Sequence, residues 1–332
     1  MAVALMEVSH AEHVKRFAAL VNKALPDLVD QKEPVELYEP TRYVLEGEGK
    51  RFRPVLLLLA AECYGADSEK ALPAALAVEV FHNFTLVHDD IMDHASERRR
   101  RPTVHVKWDE STAILCGDLL MALSYDLLAR LKTDRLAEIL HVYYEMVAQL
   151  CEGQALDKSF ETRDSVTLNE YLDMIDRKTG ALLRASLEMG GLIGNAPDAA
   201  RDTLRTLGVH LGRAFQIQDD LLDLTAEDER WGKVVGGDLV EGKKTFLLLS
   251  ALERASGPDR EWFQMIIANR GLSASLVGEA RERMVRLGVL EQAREAVVYH
   301  TEEAIRCIDD LPSVPARETL RWLVRRMQER LH

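Results

Sequence analysis

The residues best suited to chemistry are two short runs of aspartate. Asp89-Asp90-Ile91-Met92-Asp93 is the first, and Asp219-Asp220-Leu221-Leu222-Asp223 follows about 130 positions later. On a helix, residues four apart share a face, so Asp89 faces with Asp93 and Asp219 with Asp223. Like charges so placed destabilise a helix by about 0.2–0.5 kcal/mol per pair. The chain carries that cost twice, both times among apolar neighbours. Phe84, Leu86 and Val87 precede the first run, and Phe215, Ile217, Leu221 and Leu222 surround the second. Carboxylates near a core need a compensating cation. All-oxygen ligands suit Mg²⁺, which binds one or two carboxylates, keeps several waters and takes up substrate phosphates. A single such run reads as readily as a solvated acidic face; the pair points to metal-assisted chemistry on a phosphate.

Three basic groups supply the opposite charge. Arg98 to Arg101 begin five residues beyond Asp93. Alone they would read as a solvated patch or a nucleic-acid contact; beside the aspartates a diphosphate is the better partner, because arginine pairs bidentately with phosphate. Lys50, Arg51 and Arg53 precede Pro54 and an apolar stretch. Pro54 suits the first turn of a helix, whose positive end would then face an anion. Lys233, Lys243 and Lys244 lie among Gly232, Gly236, Gly237 and Gly242. That stretch, 225–245, is either a loop whose backbone approaches a phosphate or a solvated connector.

The elements that must position these groups are helices. Leu115, Leu119, Leu120, Leu123, Leu127 and Leu131 repeat at spacings of three and four, as do Leu290, Ala293, Val297, Ala304 and Ile308. Thr167 and Glu170 form a capping box for a helix running towards Met189. No proline falls between Pro102 and Pro197, nor between Pro197 and Pro258, and alternating strand patterns with hairpin turns are missing. The pattern predicts an all-α fold, a large helical bundle around a central cavity. No composition shift, linker or repeat marks a boundary, so one domain over 1–332 is expected.

Composition narrows the function. Of 332 residues, 47% are hydrophobic and 29% charged, an ordinary globular mixture. Forty-two Lys and Arg against 55 Asp and Glu leave a net charge of −13, which argues against a general nucleic-acid or anionic-membrane binder. The four cysteines, Cys63, Cys116, Cys151 and Cys307, have no CxxC spacing, so neither a disulfide framework nor a zinc site is indicated. The longest clean apolar run, Val55 to Ala61, is far short of the ~20 residues a spanning helix needs. The N-terminus lacks the basic start and long apolar core of a signal peptide. A cytoplasmic protein without stable membrane insertion is expected.

Together these residues resemble the trans-isoprenyl diphosphate synthases, or polyprenyl synthetases, over roughly 47–252. Gly49-Lys50-Arg51-Phe52-Arg53-Pro54 is similar to the family's GKRxRP segment, which implies that Lys50 and Arg53 hold isopentenyl diphosphate. His82 matches the family's histidine for the same substrate. The two aspartate runs resemble the first and second Asp-rich motifs. The resemblance implies that Asp89, Asp93, Asp219 and Asp223 ligate about three Mg²⁺ on the allylic diphosphate, with Asp90 and Asp220 in the same catalytic groups. Arg98 and Arg99 match the paired arginines after the first motif, the former facing the allylic substrate and the latter isopentenyl diphosphate. Lys178 and Thr179 match the Lys-Thr pair, Gln216 the glutamine before the second motif, and Lys233 and Lys243 the lysines of a closing loop. Gln154 and Asp157 fit GQxxD. Arg100, Glu48 and Leu247 depart from the pattern where Gly, Gly and Pro are frequent, without removing a ligand.

What the resemblance implies is a prenyltransferase that condenses isopentenyl diphosphate with an allylic diphosphate, through an allylic cation, as a homodimer. Phe84, one helical turn before Asp89, would be a floor under the growing chain or simply core. With Thr85 beside it and no insertion in the first motif, the pattern is similar to a geranylgeranyl diphosphate synthase; farnesyl or longer-chain synthesis is the alternative. Other classes fit less well. Glu79-x-x-His82 and Glu138-x-x-His141 match the paired ExxH of di-iron bundles, which explains neither aspartate run nor the basic groups. A terpene cyclase would keep only one Asp-rich run, and a non-catalytic partner subunit should have lost ligands that this chain retains.

Overall fold

The computed structural model describes residues 2–226 and 235–328. It is all-α, as expected; among the described residues the only strands are β1 (Glu97–Arg98) and β2 (Arg101–Pro102), one antiparallel pair. The chain packs as two compact units. One is Met1–Tyr143 with Ala185–Leu204 and Asp310–Trp322, and the other is Tyr144–Arg184 with Arg205–Asp309 and Leu323–His332.

In the first unit, α1 (Ala2–Ala24), α2 (Val35–Leu45), α3 (Phe52–Cys63), α4 (Ser68–Met92) and α6 (Glu110–Ala129) carry the core, with a short α5 (Val104–Lys107) between the strands and α6. Pro54 falls in the first turn of α3, as predicted, and the apolar run behind it, Val55 to Ala61, is buried on every side. A helix apolar all round belongs inside a bundle. α4 packs against α3 and α6. It is rich in alanine (Ala71, Ala74, Ala75 and Ala77 are all buried), which lets its neighbours approach closely. Aspartate caps start both α4 and α6: Asp67 accepts the Lys70 N–H and Asp109 the Thr112 N–H, each at 2.8 Å. By length and composition α6 is apolar enough to cross a bilayer, although no uninterrupted apolar run reveals it. It packs on α2, α4 and α5.

In the second unit, the later parts of α7 (Leu136–Thr162) and α10 (Asp198–Thr225) pack with α8 (Leu168–Ile175), α12 (Phe246–Arg254), α13 (Gly257–Ala268), α14 (Val277–Arg286) and α15 (Val289–Asp309) around Phe160, Tyr171, Ile217, Phe246, Phe263 and Val297. The capping box at Thr167 and Glu170 is formed as the spacing predicts. The helix it starts does not run unbroken to Met189. α8 ends at Ile175, a π-helical turn follows over Asp176–Gly180, and α9 (Ala181–Ile193) resumes α geometry. Single π turns inside helices collect at functional sites, and this one carries Lys178 and Thr179.

Candidate active site

In the first unit, Asp89 lies in the last turn of α4 and Asp93 is its C-cap, with the Asp93 N–H donating to the Asp89 carbonyl at 2.9 Å. The expected i, i+4 pairing therefore holds, at the end of the helix that carries partial negative charge. That end repels carboxylates and attracts cations. Asp90 is buried and paired with Arg98, Nε to Oδ1 at 2.7 Å. Burial pushes its carboxyl above the usual range, and Arg98 counteracts that.

Arg98 and Arg99 stand on the β1–β2 hairpin, whose turn places Arg99 at φ 54° and Arg100 at φ 61°. Such two-residue turns favour Gly or Asn, because both central residues are left-handed. The Arg99 guanidinium donates to the Glu48 carbonyl, tying the hairpin to the segment before α3. Arg53, in the first turn of α3, donates from Nη1 to His82 Nε2 at 3.2 Å. His82 thus carries its proton on Nδ1. Burial, with Arg53, Arg99, Arg98 and Arg51 nearby, holds its pKa well below the ordinary value, so it is neutral. Lys50 immediately precedes Arg51. A cavity of about 310 Å³ lies beside the hairpin, lined by Tyr43, Leu86, Val87, Asp90, Arg98 and Arg99 among others.

Arg51 does something its place in a basic run does not suggest. Its Nη1 pairs with Glu79 at 2.6 Å, its Nε donates to Asn22 and its Nη2 to the Gly47 carbonyl, and the pair is almost wholly buried. It clamps the loop that presents Lys50 and Arg53. Glu79 is neutralised by it and Glu138 by Arg135 and Arg201, which removes the acidic residues of both ExxH segments from any iron site.

In the second unit, Asp219, Asp220 and Asp223 lie in the final turns of α10, again at a helix C-terminus. Asp223 accepts the Asp238 N–H at 3.2 Å, and its carbonyl accepts the Gly236 N–H at 2.7 Å, so it also anchors the segment around α11 (Gly237–Val240). Asp220 is fully enclosed, receiving the Tyr171 phenol, the Phe246 N–H and the Gln216 amide. Burial and the nearby Asp238 carboxylate raise its pKa to about 7.

Lys178, on the π turn, pairs with Asp157 at 2.6 Å, and Thr179 donates to Gln216 Oε1 at 3.0 Å. The GQxxD segment now has a physical basis. A Cβ on Gly153 would lie 2.4 Å from the Lys178 nitrogen, so the glycine lets α7 meet the π turn while Asp157 takes the lysine. The turn is held from the other side as well. Arg213 grips Asp176 with two bonds, 2.9 and 2.7 Å, and a Cβ on Gly212 would lie 2.8 Å from Gly180 Cα. Lys243 is exposed and pairs with Glu241 at 2.7 Å, whereas Lys244 is buried against the Phe160 carbonyl. Lys233 lies outside the described residues. Phe84 is half-buried on α4, its ring against Phe81 (centroids 5.3 Å apart) and edge-on to His88 (4.7 Å).

The donor set fits Mg²⁺. Among the described residues no three His, Cys, Asp or Glu side chains converge to hold an ion by themselves. Each motif offers an i, i+4 carboxylate pair on a helix C-terminus, so an ion held there would need further oxygen ligands from water or a bound anion, which is the kind of shell Mg²⁺ accepts. Sequence reasoning missed Tyr171, Arg213 and the π turn. The turn had no local signal, and the two side chains act through partners 49 and 37 positions away.

The polyprenyl synthetase family profile matches residues 34–284, and the chain belongs to that family. It is 38% identical to the geranylgeranyl diphosphate synthase of Methanosarcina mazei over 95% of this chain and 96% of that one. The geranylfarnesyl diphosphate synthase of Natronomonas pharaonis is 37% identical, over 94% and 96%. The crystal structure of geranylgeranyl pyrophosphate synthetase from Pyrococcus horikoshii superposes with a TM-score of 0.90 at 36% identity, covering 99% of both chains.

Proposed function

We propose that the whole chain, 1–332, acts as a single polyprenyl synthetase domain that condenses isopentenyl diphosphate with an allylic diphosphate and releases diphosphate. The product is geranylgeranyl diphosphate. The observation that carries this reading is the matched placement of the two aspartate motifs. Each ends a helix at its cation-attracting terminus, and each turns its middle carboxylate to protein partners.

Asp89, Asp93, Asp219 and Asp223 are the residues that would hold Mg²⁺, about three ions by family resemblance. When bound, Mg²⁺ neutralises charge building on the departing diphosphate. The side chains do the rest. Arg98, Lys178, Lys233 and Lys243 bind the allylic diphosphate and stabilise it as it leaves. Lys50, Arg53 and Arg99 bind isopentenyl diphosphate, and neutral His82 aims Arg53 at it. Thr179 and Gln216 present oxygen to the allylic cation. Asp90 and Asp220 orient Arg98 and Gln216. Phe84 closes the path of the growing chain.

The homodimer belongs to the same reading. α6 leaves Ile114 and Leu115 exposed, an apolar face that suits burial against a second copy. The four free thiols suit a cytoplasmic setting. Nucleic acid and membrane lipid are not among the proposed partners.

The test is a product assay with purified protein, isopentenyl diphosphate and, separately, five-, ten- and fifteen-carbon allylic diphosphates, with and without a chelator. A Mg²⁺-dependent twenty-carbon product supports the reading. Fifteen-carbon products, or products longer than twenty carbons, would keep the enzyme and overturn the length. No condensation with any primer would favour a non-catalytic partner subunit.

A further inference from the structure

Thr179, Gln216, Asp220 and Tyr171 are joined in one chain of hydrogen bonds. The Thr179 hydroxyl donates to Gln216 Oε1 at 3.0 Å, Gln216 Nε2 donates to Asp220 Oδ1 at 3.1 Å, and the Tyr171 phenol donates to Asp220 Oδ2 at 2.6 Å. The Phe246 N–H reaches the same Oδ2 at 2.9 Å. A backbone N–H only donates, so with the phenol it holds Oδ2 as an acceptor and pins the plane of the carboxylate. That orientation propagates. Asp220 Oδ1 turns the NH2 of Gln216 towards itself, which leaves Oε1 towards Thr179. The single proton of Thr179 is committed to Oε1. Thr179 Oγ1 therefore has lone pairs and no proton to offer anything else.

We infer that Tyr171 is a positioning residue of the condensation: through Asp220 and Gln216 it fixes Thr179 Oγ1 as an oxygen that faces positive charge. The inference rests on the function proposed above. Tyr171 is 2% exposed, on a helix begun by a full capping box and packed beside Phe246. A rigid element, not a loop, delivers its hydroxyl. Without that hydroxyl, Asp220 Oδ2 keeps one donor and the carboxylate can rotate. It still accepts from the Gln216 NH2, so the amide follows it and draws Oε1 and the Thr179 hydroxyl out of the orientation that faces the cation. Because the chain ends at groups facing the cation, its loss should slow the chemical step and leave diphosphate binding alone.

The experiment compares Tyr171→Phe with wild type for kcat, for KM of each diphosphate and for melting temperature. The expected result is a kcat lower by roughly tenfold, the worth of one well-made hydrogen bond, with both KM values and melting temperature near wild type. In a Thr179→Val background the Tyr171→Phe change should cost nothing further, since its target is gone. If Tyr171→Phe does not fold, Asp220→Asn replaces it. Asparagine can turn its NH2 to Gln216 and invert the chain, so the same kcat-only loss is expected. A wild-type kcat in the folded variant, a loss carried by KM, or full additivity with Thr179→Val would overturn the inference. Wild-type protein inactive with every primer would instead overturn the enzyme reading itself.

Discussion

Arg98 Nε lies 2.7 Å from Asp90 Oδ1, so the arginine proposed for the allylic diphosphate rests on the middle carboxylate of the first aspartate motif. Asp90 is 5% exposed, while the Arg98 side chain is about two-fifths exposed. The carboxylate is fixed and the guanidinium reaches outward from it. Removing Asp90 should release Arg98 from its aim without removing its charge. Asp90→Ala is predicted to raise KM for the allylic diphosphate by roughly tenfold and KM for isopentenyl diphosphate far less. Steady-state titration of each substrate in turn measures the difference, and equal rises in both would refute it.

Phe84 is the residue on which product length should turn. Its ring stands on Phe81, one turn deeper in α4. Phe84→Ala should admit at least one further five-carbon unit before Phe81 stops the chain. Mass analysis of the products checks this. An unchanged distribution would make Phe84 ordinary core.

Arg100 holds φ at 61°, where an L-residue pays about 1 kcal/mol or more. Glycine has no such penalty, although it also loosens the unfolded chain. Arg100→Gly should therefore stabilise the protein by a few tenths of a kcal/mol up to about 1 kcal/mol. The melting temperature should rise by about 1–2 °C, with kcat unchanged. A lower melting temperature would show that the Arg100 side chain contributes more than its backbone costs.

His300 and His210 meet Nδ1 to Nδ1 at 2.9 Å, and burial, then His210 and Arg213, lower the His300 pKa to about 4. His300 is thus neutral in the folded protein at pH 5 and protonated in the unfolded chain. The unfolded state binds the extra proton, so stability is full above the ordinary histidine range and falls as pH drops from about 6.5 towards 4. Urea midpoints at pH 7 and pH 5 measure this. His300→Gln should flatten the decline, and an equally steep decline in that variant would place its origin elsewhere.

Much of this protein is settled by local rules that act along the chain. The capping box at Thr167, the cap at Asp109, the aspartates four apart and the proline-led α3 all depend on neighbours within a few residues, so spacing alone predicts them. The two aspartate runs were legible for the same reason: carboxylates placed four apart on one helix face leave a fixed interval in the sequence. What each group touches was not legible. Arg51 and Arg53 are two residues apart in one basic run, yet one is buried on Glu79 and the other reaches His82. Lys243 and Lys244 are adjacent, and one is exposed while the other is buried against Phe160. Asp219 and Asp220 are neighbours too, yet Asp219 is half-buried while Asp220 is enclosed by Tyr171, Gln216 and Phe246. Those assignments depend on which side of an element meets a partner far away in sequence. The π turn at Lys178 belongs with them. It is held from outside by Arg213, Gly212 and Gly153, and tertiary packing overrides the helix that its own residues would continue.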